Sequence, residues 1–283
     1  MNLARAGAGG LDVYASWRRP AGARPFVFGH RGARHAAPEN TLGAFELARD
    51  EGADGVELDV RLDRTGDVVV AHDATLSRVT EERDSRRVDQ LSRSQLDLVD
   101  VGGGEPIPRL RSALDFCRAH GLRVNVELKS DLNPPGTDSP WRDKLRGVLS
   151  AQHVALVRGC AREAQRIPDA GRMILFSSFN PLLVVALRRI VPQIPAAWLV
   201  HDQQDLALGL ARRRMPRELL GLRAVHPQRT LATAGNISAW HSNDALVNVW
   251  TVNEPQEAVA LAARGIDGLI SDYPGRLLSA LGG

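Results

Sequence analysis

The chain is short of cysteine, of net charge and of long apolar runs, and each shortage removes a class of protein. Its two cysteines, Cys117 and Cys160, lie far apart and form no CxxC pair, so the sequence offers neither a zinc-finger pattern nor a disulfide framework. Net charge is only +3. The arginines are dispersed, and the densest run, Arg212–Arg214, reads as a solvated helix end. That balance does not point to a nucleic-acid partner. No apolar stretch reaches the roughly 18 residues of a transmembrane helix. Residues 1–25 lack the apolar core of about 7–15 residues that marks a signal peptide. They read as a flexible extension with one short ordered piece near Leu11–Trp17, and a cytoplasmic location is the expectation. A Gly-rich phosphate fingerprint is missing too: the first apolar run is followed by GHRGAR, not GxGxxG, which disfavours an open dinucleotide-binding sheet.

What is present is alternation. Eight short β-branched runs recur: Phe26–Phe28, Gly55–Leu62, Arg123–Leu128, Met173–Ser177, Ala196–Val200, Leu222–Val225, Leu246–Val252 and Gly268–Ile270. Between them, Thr41–Glu51, Leu110–His120, Trp141–Ala164, Pro181–Ile190, Asp202–Arg214 and Pro255–Arg264 carry helical periodicity, with stops at Gly52, Gly121 and Gly265. In a chain of 283 residues this pattern predicts one α/β domain over 26–283, a (β/α)8 TIM-type barrel. The rhythm breaks between Leu62 and Arg123. The polar stretch 74–108 reads as an insertion in a strand-to-helix loop, on the face where barrel enzymes keep their sites.

Two strands turn polar on one face. In 55-GVELDVRL-62, Glu57, Asp59 and Arg61 alternate with apolar residues; in 124-VNVELK-129, Asn125, Glu127 and Lys129 do. A solvated edge strand gives the same alternation. In a parallel sheet, however, both faces are normally covered. Glu57, Asp59 and Glu127 in one barrel mouth repel one another, and a cation resolves that repulsion. Three carboxylates without cysteine suit a hard cation, Mg²⁺ or Ca²⁺, with Mn²⁺ a further candidate. The stretch 59-DVRLDRTGDVVVAHD-73 reads as a β-hairpin. A two-residue loop Thr65-Gly66 sets Asp59 opposite His72 on the same face. A three-residue loop with Gly66 in a bulge shifts the register by one and turns His72 away unless a bulge compensates. The sequence leaves both registers open. In 28-FGHRGARHAAPENT-41, His30 ends the first strand, Asn40 or Thr41 caps the next helix, and Glu39 and Asn40 are second candidates for bracing the site.

An HRG after the first strand, PENT at a helix start, and GADGVELDVRLDRTGDVVVAHDATLSRVT together resemble the glycerophosphodiester phosphodiesterase family. The later IPRL, NVELK, FSSFN, VWTVN and GLISDYP segments extend the likeness over roughly residues 26–280. The resemblance implies a (β/α)8 barrel with an insertion between the second strand's hairpin and the third strand. It also implies hydrolysis of a small glycerophosphodiester to glycerol 3-phosphate and an alcohol. By motif position it assigns His30 and His72 as the acid/base pair. It makes Glu57, Asp59 and Glu127 the cation ligands, Arg31 and Lys129 the phosphate contacts, and Trp250 an aromatic wall. A lysophospholipase D using the same site is a second reading, its apolar channel drawn from 74–108 and 131–140. A barrel that binds phosphodiesters without turnover is a third. One departure stands out: Arg109 and Arg111 occupy positions in IPRLRSAL where the family suggests threonine and an acid.

Overall fold

The computed structural model describes residues 12–130, 150–202 and 222–282. The first two strands are β1 (Phe26–His30) and β2 (Gly55–Leu62); the short β3 (Val68–Val70) runs antiparallel to β2. Then come β4 (Arg123–Leu128), β5 (Ile174–Ser178), β6 (Ala196–Val200), β7 (Ala224–Pro227), β8 (Leu246–Val249) and β9 (Gly268–Ser271). All except β3 pair in parallel in chain order, and β9 returns to β1, closing an eight-stranded barrel. The eight expected strands are all found. The seventh starts two residues later than expected, and the eighth stops at Val249 rather than Val252.

Helices wrap the outside where the sequence marks their ends. Leu42–Asp50 is capped by Thr41, whose hydroxyl accepts from the Ala44 amide, and Pro181–Ile190 is capped by Asn180 with proline at its first turn. Of the expected Trp141–Ala164 helix, the part Ala151–Ala164 is described; the expected Asp202–Arg214 helix lies outside the described residues, apart from Asp202. Two helices, Ala234–Ser242 and Pro274–Ala280, escaped the periodicity reading. Val56, Leu58 and Val60 of β2 and Val124, Val126 and Leu128 of β4 face this shell and join the main core. Among the described residues no helix is long and apolar enough to cross a membrane.

The short ordered piece expected near Leu11–Trp17 is found, with a turn of helix at Ala15–Trp17, whereas residues 18–25, expected to be flexible, are tied down by Arg18 on Asp244 and Arg24 on Asp54. Tyr14 and Trp17 are buried against the N-terminal end of the barrel, beside Phe28, Leu175, Leu246 and Ile270. The Tyr14 hydroxyl donates to the Ala196 carbonyl (3.0 Å), the Trp17 indole donates to the Gly171 carbonyl (2.8 Å), and Trp17 stacks on Phe28. Two aromatics close the end of the barrel remote from the polar strand ends. Segment 74–108 has a small core of its own, in which Leu76, Val88, Leu91, Leu96 and Ile107 pack on Val69 of β3. Arg111 pairs with Glu163 on the outer shell (3.1 Å), away from the polar strand ends.

Inward-facing positions stack in layers drawn from alternate strands. By register, Phe28, Asn125, Ala197 and Asn248 make one layer, and Glu57, Ser177, His226 and Ile270 the next. The barrel core thus turns from apolar to polar along its axis. His226 is fully buried, and burial pushes its pKa down to about 3. Asn248 donates to its Nε2 at 3.1 Å. An unfolded histidine takes its proton near pH 6.5. The folded ring stays neutral below that, so stability is full above about pH 6.5. It falls toward about pH 3, by at most about 1.4 kcal/mol per pH unit. Denaturant unfolding of the wild type and His226→Gln across this window checks it: the variant is expected to lose this share of the slope, and identical slopes would show that the ring is not held neutral.

Candidate active site

The polar strand ends converge at the C-terminal mouth. Glu57 and Asp59 from β2 and Glu127 from β4 are buried, and one carboxylate oxygen of each lies within 4.8 Å of the others. Alternation puts them on the inner face, and the parallel β2–β4 register places Asp59 beside Glu127. Lys129 sits between them, its Nζ 2.8 Å from Asp59 and 2.6 Å from Glu127. Burial opposes a charged lysine, but the two carboxylates outweigh it and raise its pKa. Burial would also raise the Asp59 carboxyl; Lys129, Arg31 and His72 outweigh it and hold Asp59 well below the usual range. Glu57 goes the other way. Burial, then repulsion from Asp59 and Glu127, pushes its carboxyl well above the ordinary value. Its Oε1 has no hydrogen-bond partner among the described residues.

His30 is the last residue of β1. Its Nδ1 lies 2.6 Å from Asp272, just after β9, and its Nε2 lies 4.0 Å from Glu57. Burial lowers its pKa against the opposing hydrogen bond to the Asp272 carboxylate. Arg31 follows in a left-handed conformation (φ 56°). That turn aims its amide at Glu57 Oε2 (3.0 Å), while its guanidinium reaches Glu39 (2.9 Å) and Asp59 (3.1 Å). His35 stays on the rim, its ring tilted against Tyr273 and paired with Glu51 at 3.2 Å.

The hairpin takes the three-residue register. Val60 faces Val70, Arg61 faces Val69, and Gly66 has a positive φ of 86°. Asp59 therefore lies opposite Ala71, whose amide donates to the Asp59 carbonyl (2.9 Å), not opposite His72. The two-residue alternative is incorrect. The ladder ends there, so strand alternation does not dictate where His72 points. Arg61 holds the His72 carbonyl (2.8 Å), and the His72 ring is near enough to help depress the Asp59 carboxyl. Its Nδ1 lies 2.6 Å from Asp73.

Trp250 lies just beyond β8. Its indole donates to the His226 carbonyl (2.7 Å), and its ring meets Phe179 edge-on at 5.4 Å. By register it shares a layer with His30 and Glu127.

Several residues matter more here than the sequence reading allowed. Asn40, read as a helix cap or a brace of the site, clamps Asp59: its Nδ2 donates to Oδ2 (3.0 Å) and its Oδ1 accepts from the Asp59 amide (3.2 Å). Glu39 is a hub. Arg31 and Arg78 both reach it, and although burial acts to raise its carboxyl, they bring it down to about 2. Arg78, from the insertion, also grips Asp73 at 2.6 Å. Asn253 holds Asp272 (2.8 Å). A carboxylate after a histidine, or an asparagine after a strand, gave no periodic signal.

Comparison with known proteins agrees with this architecture. The model of the glycerophosphoryl diester phosphodiesterase family matches residues 30–276. A Mycobacterium tuberculosis protein named probable glycerophosphodiester phosphodiesterase 1 is 33% identical over 261 residues, covering 89% of this chain and 90% of that one. A Bacillus altitudinis glycerophosphodiester phosphodiesterase is 28% identical over 262 residues, covering 88% and 95%. Among solved structures, a Silicibacter pomeroyi putative glycerophosphoryl diester phosphodiesterase superposes with a TM-score of 0.80 at 25% identity, covering 96% and 97%. An Oleispira antarctica phosphodiesterase in complex with the product sn-glycerol-3-phosphate superposes at 0.73 with 26% identity, covering 92% and 98%.

Proposed function

Since the chain belongs to the glycerophosphoryl diester phosphodiesterase family, we propose that it hydrolyses glycerophosphodiesters to glycerol 3-phosphate and an alcohol with the help of one divalent cation. The buried carboxylate cluster carries this reading. Three carboxylates meet two cationic side chains there, and Glu57 keeps an oxygen without a partner among the described residues. A hard oxygen-binding ion, Mg²⁺, Ca²⁺ or Mn²⁺, fits that donor set. Bound by Glu57, Asp59 and Glu127, it would polarise a non-bridging phosphate oxygen and lower the pKa of the attacking hydroxyl or water.

The chain's own groups supply the rest. Arg31 presents a fork to the phosphate, and Lys129 brings a point charge from beside Asp59. With Nδ1 of both His30 and His72 turned to carboxylates, their Nε2 atoms are the working nitrogens. One accepts the nucleophile's proton while the other protonates the departing alkoxide. Trp250 walls the substrate with its ring fixed by the indole bond. The loop 131–140, half of the channel invoked for a lysophospholipase D, lies outside the described residues.

The test is product release. Purified protein is offered glycerophosphocholine, glycerophosphoethanolamine and lysophosphatidylcholine, with EDTA and with each of the three ions. Metal-dependent glycerol 3-phosphate from the first two is expected. Choline from lysophosphatidylcholine alone would favour the lysophospholipase D, and no turnover on any substrate would sink the reading.

A further inference from the structure

Each histidine of the site has the same arrangement behind it. His30 Nδ1 meets one oxygen of Asp272 (2.6 Å), and Asn253 Nδ2 donates to the other (2.8 Å). His72 Nδ1 meets one oxygen of Asp73 (2.6 Å), and Arg78 Nε grips the other (2.6 Å). His35, on the rim, has only a backbone carbonyl at its Nδ1 (3.0 Å). The arrangement thus marks the two histidines beside the carboxylate cluster.

At His30 the polarity is locked by one amide. Asn253 Oδ1 accepts from two donors, the Asp272 amide (2.9 Å) and the Ser271 hydroxyl (3.2 Å). That fixes which end of the Asn253 amide is oxygen, so its NH₂ must face Asp272. The facing atom must then be an acceptor, and Asp272 is left with an acceptor for His30 as well. Burial acts to raise the Asp272 carboxyl, but the His30 ring, then Asn253 and Arg34, whose Nε lies 3.4 Å from Oδ1, outweigh burial and lower it. An imidazole facing a carboxylate at Nδ1 carries its proton there and leaves Nε2 to exchange a proton with the substrate.

We propose that Asp272 and Asn253 are a positioning pair that holds His30 in the Nδ1–H tautomer, with Nε2 presented to the phosphodiester. The inference rests on the proposed phosphodiesterase reading, in which His30 transfers a proton.

The polarity makes a swap decisive. In Asp272→Asn, the new NH₂ must face either the NH₂ of Asn253 or His30 Nδ1. The second choice forces the proton to Nε2 and blocks its use as a base, so kcat is expected to fall by about 10²–10⁴-fold with KM little changed. Adding Asn253→Asp supplies an acceptor for that NH₂ and turns the amide oxygen at position 272 back to His30. The double variant, with the same total charge, is expected to recover at least about tenfold in kcat. Wild-type kcat in Asp272→Asn, or a double variant no better than the single one, overturns the pairing. A measurement that needs no variant stands beside these: ¹⁵N shifts of the His30 ring in the wild type are expected to show Nδ1–H, and Nε2–H contradicts the proposal. His30→Ala separates the two levels. Full turnover in that variant removes the phosphodiesterase assignment of His30, whereas a dead His30→Ala with an unimpaired Asp272→Asn removes only the pairing.

Discussion

Replacing His30 or His72 with alanine is expected to lower kcat by about 10²–10⁴-fold, the usual share of a general acid or base, while substrate still binds. The two side chains reach the site by different routes, one at the end of β1, the other beyond the hairpin ladder and held by Arg61. The carboxylate cluster and its basic partners are positioned mainly by other groups. Glu57, Asp59, Glu127 and Lys129 are held by β2, β4 and their own ion pairs, and Asn40 clamps Asp59. Losing one imidazole should therefore remove proton transfer and leave the electrostatics. Steady-state kinetics paired with calorimetric titration of glycerol 3-phosphate separates the outcomes. Lost turnover with retained binding supports catalysis by the histidines. Lost binding with no turnover to lose, even in the wild type, supports a barrel that only captures phosphodiesters.

Glu57→Gln is expected to stabilise the metal-free protein and to abolish its response to divalent ions. The Glu57 carboxyl is pushed up by burial and by Asp59 and Glu127. A carboxyl raised in the folded state binds its proton there after the unfolded chain has released it. Stability then falls as pH rises above the ordinary carboxylate range, near 4.3, through the raised folded value. The neutral glutamine removes that fall, so the gain grows with pH. With a cation present the order reverses. An ion at about 100 times its dissociation constant stabilises the folded state by about 2.7 kcal/mol, which in a chain of this size raises the melting temperature by about 4–5 °C. Glu57→Gln should lose most of that rise. Thermal melts with EDTA and with each ion, at pH 6 and pH 8, measure both effects. A variant that melts below the wild type without metal, or that keeps the full ion-induced rise, contradicts this account.

Much of the site was legible because strand alternation is a strict signal. Charged residues at every second position of two parallel strands cannot all be solvated in a barrel, and Glu57, Asp59, Glu127 and Lys129 do meet at the mouth. The hairpin shows where that signal stops. Its register depends on the conformation of Arg64–Gly66, one residue of loop length, which no periodicity records; the structure takes the bulged choice, and His72 is placed by Arg61 instead of by pairing. An ordered piece near Leu11–Trp17 was legible, but the barrel end that Tyr14 and Trp17 cover was hidden for another reason. Two aromatics in a polar stretch show no pattern until the barrel end they cover exists. Arg78 and Asn253 act through partners distant in sequence, Asn253 on Asp272 and Arg78 on Glu39, so only the folded chain reveals them.

The most direct test of the central claim is a crystal structure with Mg²⁺, Ca²⁺ or Mn²⁺ and glycerol 3-phosphate. The account predicts one ion shared by Glu57, Asp59 and Glu127, a phosphate oxygen on that ion, and Nε2 of both His30 and His72 within hydrogen-bonding reach of the phosphate. An ion bound elsewhere, or a phosphate out of reach of both histidines, would contradict it.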